Sequence, residues 1–174
     1  MGNNDRLPVQ SEYTTKHIAQ YPPEVSVCVG CNSCEIVCGI VHEGKNGPSL
    51  RRIFLERDTI LMDEHKIFTC QQCEDHPCYD ACPLQDSAMK IDEELGIVYI
   101  DEEFCIGCQL CIEACPFEPK RINFDKASKK AKKCDLCRTR EGGPACVEFC
   151  QVRCIGIAGE PLPPAPPKPP QADL

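Results

Sequence analysis

The chain has no tryptophan, and aromatic residues make up only 6% of its 174 positions. It holds no apolar run near the ~20 residues that a membrane span requires. No Asn-X-Ser/Thr glycosylation acceptor occurs in it. The first residues, Met1-Gly-Asn-Asn-Asp-Arg6, lack the basic and apolar regions of a secretory leader. These absences argue against a membrane span and against export, so the expected location is cytoplasmic. Ordinary core formers are scarce as well. Leu, Ile, Val and Phe together supply little more than a fifth of the chain, near the composition of disordered proteins. A formal charge of −8 argues against a general nucleic-acid-binding surface. There is no phosphate loop, no G-x-S-x-G and no dinucleotide fingerprint. No active site is assigned, and the chain is read as non-catalytic.

What the chain does have is cysteine, 17 residues of it. Sixteen fall into four groups: Cys28-x2-Cys31-x2-Cys34-x3-Cys38, Cys70-x2-Cys73-x4-Cys78-x3-Cys82, Cys105-x2-Cys108-x2-Cys111-x3-Cys115, and Cys134-x2-Cys137-x8-Cys146-x3-Cys150. Cys154 is left over. In a reducing compartment thiols do not pair, the count is odd, and clustered cysteine reads as a metal site. The first and third groups have the spacing by which bacterial-type ferredoxins hold [4Fe–4S] cubes. A cube has four iron corners, each needing one thiolate. Cysteines three apart let a short loop wrap one face while its backbone N–H groups point at sulfur. Gly30 and Gly107, at the same place in their groups, let the backbone approach closely. Pro83 and Pro116 follow the last cysteine of the second and third groups and end regular structure there.

Zinc is the main competing metal, since ribbons and fingers also use C-x2-C pairs. The triads and the Cys-Pro endings favour iron–sulfur. His42, His65 and His76 are candidate zinc ligands only in that minor alternative, and His76 is expected to line a loop.

The four groups in this order resemble the four-cluster ferredoxin-type iron–sulfur subunits of molybdenum and tungsten oxidoreductases, such as those of dimethyl sulfoxide reductase and formate dehydrogenase. The resemblance covers about residues 25 to 157. Cys28-Val-Gly-Cys-Asn-Ser-Cys-Glu-Ile-Val-Cys38 and Leu50-Arg-Arg-Ile-Phe-Leu-Glu-Arg57 look most like partners of aldehyde-oxidoreductase-type tungsten enzymes. That set includes the electron-transfer subunit of tungsten-dependent (class II) benzoyl-CoA reductase. The resemblance implies an electron-transfer subunit in which the first group pairs with the fourth and the second with the third. One cube would take Cys70, Cys73, Cys78 and Cys115, and its neighbour Cys105, Cys108, Cys111 and Cys82. In the other pair one cube would take Cys28, Cys31, Cys34 and Cys150, and the last Cys134, Cys137, Cys146 and Cys38. The implied partners are a larger catalytic tungsten or molybdenum subunit and a further electron donor or acceptor protein.

The sequence departs from the family pattern in that pair. Gly39 follows Cys38 and Gln151 follows Cys150, where proline is usual, and Cys154 stands where a small residue is usual. Four [4Fe–4S] clusters are expected, with three plus one zinc or empty site in the first/fourth pair as the alternative. Cys154 is read as a packed thiol, with ligation as its other reading. A free polyferredoxin and a zinc-stapled interaction module remain as alternative functions.

The expected fold class is α+β: two ferredoxin-like units, each of the bacterial 2[4Fe–4S] type, with β-hairpins bracketing short cysteine-bearing helices. One unit comprises residues 25–69 and 117–157, the other residues 70–116. Strand pairs are expected between Arg51 and Thr69, including Ile60-Leu-Met62, and a hairpin from Met89 to Asp101 turning through Asp92-Glu-Glu-Leu95. Residues 1–24 are read as a polar arm with a turn of helix at His17-Ile-Ala-Gln20. Residues 158–174 are read as a proline-rich tail of extended polyproline. Lys126, Lys129, Lys130, Lys132 and Lys133 gather before Cys134. They are read as a solvated loop or, functionally, as cations offsetting the charge of the clusters, about two negatives per oxidised cube.

Overall fold

Among the described residues, eight short strands in four pairs are interspersed with four helices, all but one of them a single turn long. The computed structural model describes residues 15–58, 60 and 65–160. Their order is β1 (Ile18–Gln20), α1 (Ser33–Glu43), β2 (Ile53–Glu56), β3 (Lys66–Thr69), α2 (Pro77–Asp80), β4 (Met89–Asp92), β5 (Ile97–Ile100), α3 (Leu110–Glu113), β6 (Ile122–Asp125), β7 (Lys130–Lys133), α4 (Ala145–Glu148) and β8 (Ile155–Ile157). The strands form four two-stranded antiparallel sheets, β1–β8, β2–β3, β4–β5 and β6–β7. Helix α1 packs on α4, and α2 packs on α3. The architecture is α+β, with the short elements of a ferredoxin-like domain. Among the described residues no helix is long and apolar enough to cross a membrane.

Two-stranded sheets are marginal alone, so the interior must hold them. That interior is largely sulfur. The larger buried cluster contains Ile18, Ile53, Ile97 and Ile155, yet eight of its fourteen buried residues are cysteines. A second cluster joins Cys78 and Cys111 to Met89, Val98, Ile122 and Ala131. The shortage of aliphatic residues is therefore met at the positions where thiols converge.

In the first three groups helix length follows the residue after the last cysteine. In the second and third groups α2 and α3 stop after four residues, just before Cys82-Pro83 and Cys115-Pro116. Gly39 in place of proline lets α1 run on to Glu43, eleven residues in all. A Cβ at Gly39 would lie 3.0 Å from the Lys45 carbonyl, so glycine is also what the close return of the chain requires. The fourth group lacks proline but still makes a short helix.

Two expectations are corrected. The turn of helix at His17–Gln20 is a strand: Ile18, Ala19 and Gln20 pair with Ile157, Gly156 and Ile155. His17, Ile18 and Tyr21 are buried, and the Tyr21 N–H donates to the Cys154 carbonyl at 2.8 Å. The end of the supposed arm is thus core, because among the described residues it supplies the strand that pairs with β8. Residues 1–14, Leu61-Met62 of the second strand segment and the proline tail from Pro161 lie outside the described residues.

The lysine-rich stretch is the second correction. Lys126 and Lys129 are exposed, but Lys130–Lys133 form β7 against β6. Lys132 and Lys133 are 1% and 2% exposed, which excludes a solvated loop for both. The Lys132 ammonium lies 2.9 Å from Glu43 and also binds Glu102, and Arg52 bridges the same two carboxylates at 3.0 and 2.5 Å. In this alternating four-charge network each ion faces two of opposite sign, while Arg52 Nη1 is buried without a hydrogen-bond partner.

Candidate metal centres

Three cavities are lined by the cysteines in sets of four or five. The first holds Cys28, Cys31, Cys34 and Cys150, with Cys154 beside them. The second holds Cys70, Cys73, Cys78 and Cys115. The third holds Cys82, Cys105, Cys108 and Cys111. The remaining thiols, Cys38, Cys134, Cys137 and Cys146, are all buried, and Cys146 interacts electrostatically with the other three. These four gatherings are termed the first, second, third and fourth sites. Cys146 also senses Cys34, Cys134 senses Cys70, and Cys111 senses Cys78. The fourth site thus neighbours both the first and the second, and the second also neighbours the third.

The same local backbone builds all four. The second residue after each leading cysteine is left-handed: Gly30 (φ 67°), Gln72 (φ 50°), Gly107 (φ 71°) and Leu136 (φ 55°). That reversal turns the chain back around the sulfur. A further left-handed residue, Asn32, His76 or Gln109, precedes α1, α2 and α3. Backbone N–H groups then reach the sulfurs, from Arg52 to Cys38 at 3.2 Å, Gln72 to Cys70 at 3.4 Å, Arg121 to Cys115 at 3.5 Å and Cys154 to Cys150 at 3.3 Å.

The donor set fits iron–sulfur cubes on chemical grounds. Burial pushes the Cys78 thiol up to about 11 and the Cys34 and Cys111 thiols up to about 12. It raises Cys134 and Cys146 as well. Four thiolates cannot share a dry pocket unless positive charge compensates them, and iron in a cube supplies it. Only Cys31 and Cys108 are exposed.

Of the three histidines considered, His65 is buried, with Nδ1 accepting the Asp58 N–H at 3.1 Å. His76 lines the loop wall of the second cavity. His42 stands by the fourth site. Its Nε2 is 2.9 Å from Asp135 Oδ1 and its Nδ1 is 3.9 Å from Cys38 Sγ. Burial works against the imidazolium, but bonds to Asp135, Cys137 and Cys38 outweigh it and hold His42 up to about 12. His42, Asp135 and Cys137 bring ligand atoms within 4.8 Å of one another, a group that spacing did not indicate because α1 and the fourth group are distant in sequence.

Cys154 is 1% exposed, with its Sγ 3.6 Å from Cys150 Sγ. Its thiol donates toward Cys150, which raises the Cys154 pKa and lowers that of Cys150. A donor to a ligand sulfur need not itself bind metal. Cys154→Ala is therefore expected to leave iron content unchanged and to cost roughly 1 kcal/mol of lost packing. Metal analysis of the variant checks this: loss of about four irons, or of one zinc, would make Cys154 a ligand.

Residues 64–159 match the 4Fe–4S dicluster domain family. The chain is 41% identical over 123 residues to the aliphatic sulfonate oxidoreductase polyferredoxin-like subunit of Pyrococcus furiosus, covering 71% of this chain and 66% of that one. It is 35% identical over 144 residues to the electron transport protein HydN of Escherichia coli, covering 73% and 80%. Among solved structures, a chain of the active site complex BamBC of benzoyl coenzyme A reductase aligns with a TM-score of 0.46 at 23% identity, over 83% of this chain and 75% of that one.

Proposed function

The chain belongs to the 4Fe–4S dicluster domain family and is an iron–sulfur electron-transfer protein related to oxidoreductase subunits; on that premise we propose that it is a non-catalytic subunit carrying four [4Fe–4S] clusters in line. Their ligands are the four cysteine sets given by the sequence resemblance, arranged as two ferredoxin-like units, residues 25–69 with 117–157 and residues 70–116. The carrying observation is the order in which the sites neighbour one another, first, fourth, second, third, with the only exposed cysteines, Cys31 and Cys108, at its two ends. Val29 and Ile106, both exposed, flank those cysteines and offer apolar surface to docking proteins. Iron–sulfur cubes supply one-electron acceptance at each site; the chain supplies spacing, burial and N–H donors to sulfur.

The partner in this reading is a catalytic tungsten or molybdenum subunit in the cytoplasm. The segments 28–38 and 50–57 favour a tungsten enzyme acting on an aromatic acyl-CoA such as benzoyl-CoA. Anaerobically purified protein should hold about sixteen irons, four in each of four cubes. About twelve would mean that one site holds something else, and below about eight the four-cluster reading fails. Tungsten and molybdenum analysis of the co-purifying complex tests the partner. A stable monomer that never co-purifies with such a subunit would make a free polyferredoxin the better reading.

A further inference from the structure

We propose that Lys133 is a fixed buried charge that raises the reduction potential of the second site and makes it the most readily reduced of the four. The proposal rests on the four-site reading above. Lys133 lines the cavity of Cys70, Cys73, Cys78 and Cys115 and precedes Cys134 of the fourth site, so it stands at the middle junction of the line. Its side chain is 2% exposed. Its ammonium donates to Gln72 Oε1 at 2.7 Å and to the Val98 carbonyl. Both acceptors are neutral, and among the described residues no carboxylate forms an ion pair with it.

A buried cation must be compensated. Lys133 lines the cavity of the second site, so the thiolate set there is the negative charge that can compensate it. When an electron arrives there the site gains one negative charge, which Lys133 stabilises across a dry, low-dielectric gap. Charge and hydrogen bonding near the sulfurs are main determinants of cluster potential.

The other sites lack a fully buried cation without a carboxylate partner; Lys130, at the third, is only half-buried and donates to the Cys105 carbonyl. Apolar side chains such as Met89 and Ile100 line the third cavity, and no charged side chain lines the first. At the fourth site His42 is paired with Asp135, and Arg52 with Glu43 and Glu102. Arg121, stacked 4.3 Å over the Phe68 ring, adds a second cation to the second cavity.

The test is a potentiometric titration followed by electron paramagnetic resonance, on full-length wild type, K133M and K133R. K133M should lower the potential of one site until its oxidised-to-reduced ratio at fixed potential rises at least tenfold, 59 mV for one electron. K133R should stay within tenfold of wild type. In protein with Lys133 intact, Cys73→Ser should alter the step at the highest potential. Unmoved potentials in K133M, or a Cys73→Ser variant that alters a lower step, would overturn the proposal. Should K133M lose about four irons, the Cys73→Ser assignment decides. An iron content far below about sixteen in the wild type fails the four-site reading itself. Full iron with unmoved potentials fails only the role of Lys133.

Discussion

Cys78→Ala is expected to remove about four irons per chain and to leave little folded protein at ambient temperature. Cys78 is the second residue of α2 and belongs to the second buried cluster with Met89, Val98, Cys111, Ile122 and Ala131. Its sulfur lines the second site, where burial, reinforced by the Cys70, Cys73 and Cys115 sulfurs and opposed by Lys133, holds the thiol up to about 11. Losing that ligand opens a gap in the core and leaves Lys133 buried beside an incomplete thiolate set. Removing one partner of a buried charge pair costs ~3–5 kcal/mol, against a total stability of ~5–15 kcal/mol for a domain. The second site also neighbours both the fourth and the third, so electrons entering at the Cys31 end would no longer reach the Cys108 end. Iron per chain, the visible absorbance that bleaches on reduction, and thermal unfolding measure the three parts of this expectation. A variant with full iron content would refute the ligand assignment. Cys31→Ser is the informative contrast: the thiol is exposed at the edge of the first site, so a lost cluster there should leave the rest of the fold standing.

How far the sequence showed these features depends on whether the responsible residues are neighbours. The sites were legible because ligands three residues apart form local turns, and those turns are built the same way each time. Glycine marked the left-handed position in two groups, Gly30 and Gly107. In the others Gln72 and Leu136 take the same conformation, and a non-glycine residue there gives no signal. It is held by its surroundings: the Gln72 amide donates to the Cys134 carbonyl at 2.9 Å, and its carbonyl oxygen accepts from Val98 N–H at 3.0 Å and from Lys133. The β4–β5 hairpin was legible from alternation and a turn. The β6–β7 hairpin was not, because Lys130-Ala-Lys-Lys133 shows no apolar period. Its burial depends on Glu43 and Glu102, far away in the chain. Strand β1 was hidden for a related reason. Three residues carry no period, and their partner β8 lies at the opposite end of the sequence.

Gly107→Ala is expected to cost the third site its cluster, about four irons. Gly107 has φ +71°, where a side chain costs ~1–2 kcal/mol by itself. The larger obstacle is space. A Cβ there would lie 2.1 Å from the Lys129 carbonyl oxygen and 3.1 Å from its carbon. Lys129 cannot retreat freely. It is itself left-handed, at φ 55°, in the turn joining β6 to β7, and Lys130 begins the paired strand. The Lys130 ammonium donates back to the Cys105 carbonyl at 2.5 Å, tying the same two segments together. One backbone or the other must move, at ~1–3 kcal/mol for such overpacking. Because Gly107 directly precedes Cys108, the displacement falls on a ligand. Gly96→Ala separates strain from collision. Gly96 has nearly the same φ, +65°, with nothing within 4 Å of the added methyl, so only the strain should appear and all irons should remain. Gly30→Ala should fall between them, since its Cβ would meet the His65 ring at 2.8 Å, a side chain rather than backbone, whose shift would cost its bond from the Asp58 N–H. Iron content and thermal unfolding of the three variants rank the effects. Equal loss of stability and full iron in Gly107→Ala and Gly96→Ala would show that the loop around the third site yields, and that close backbone approach is not what glycine provides there.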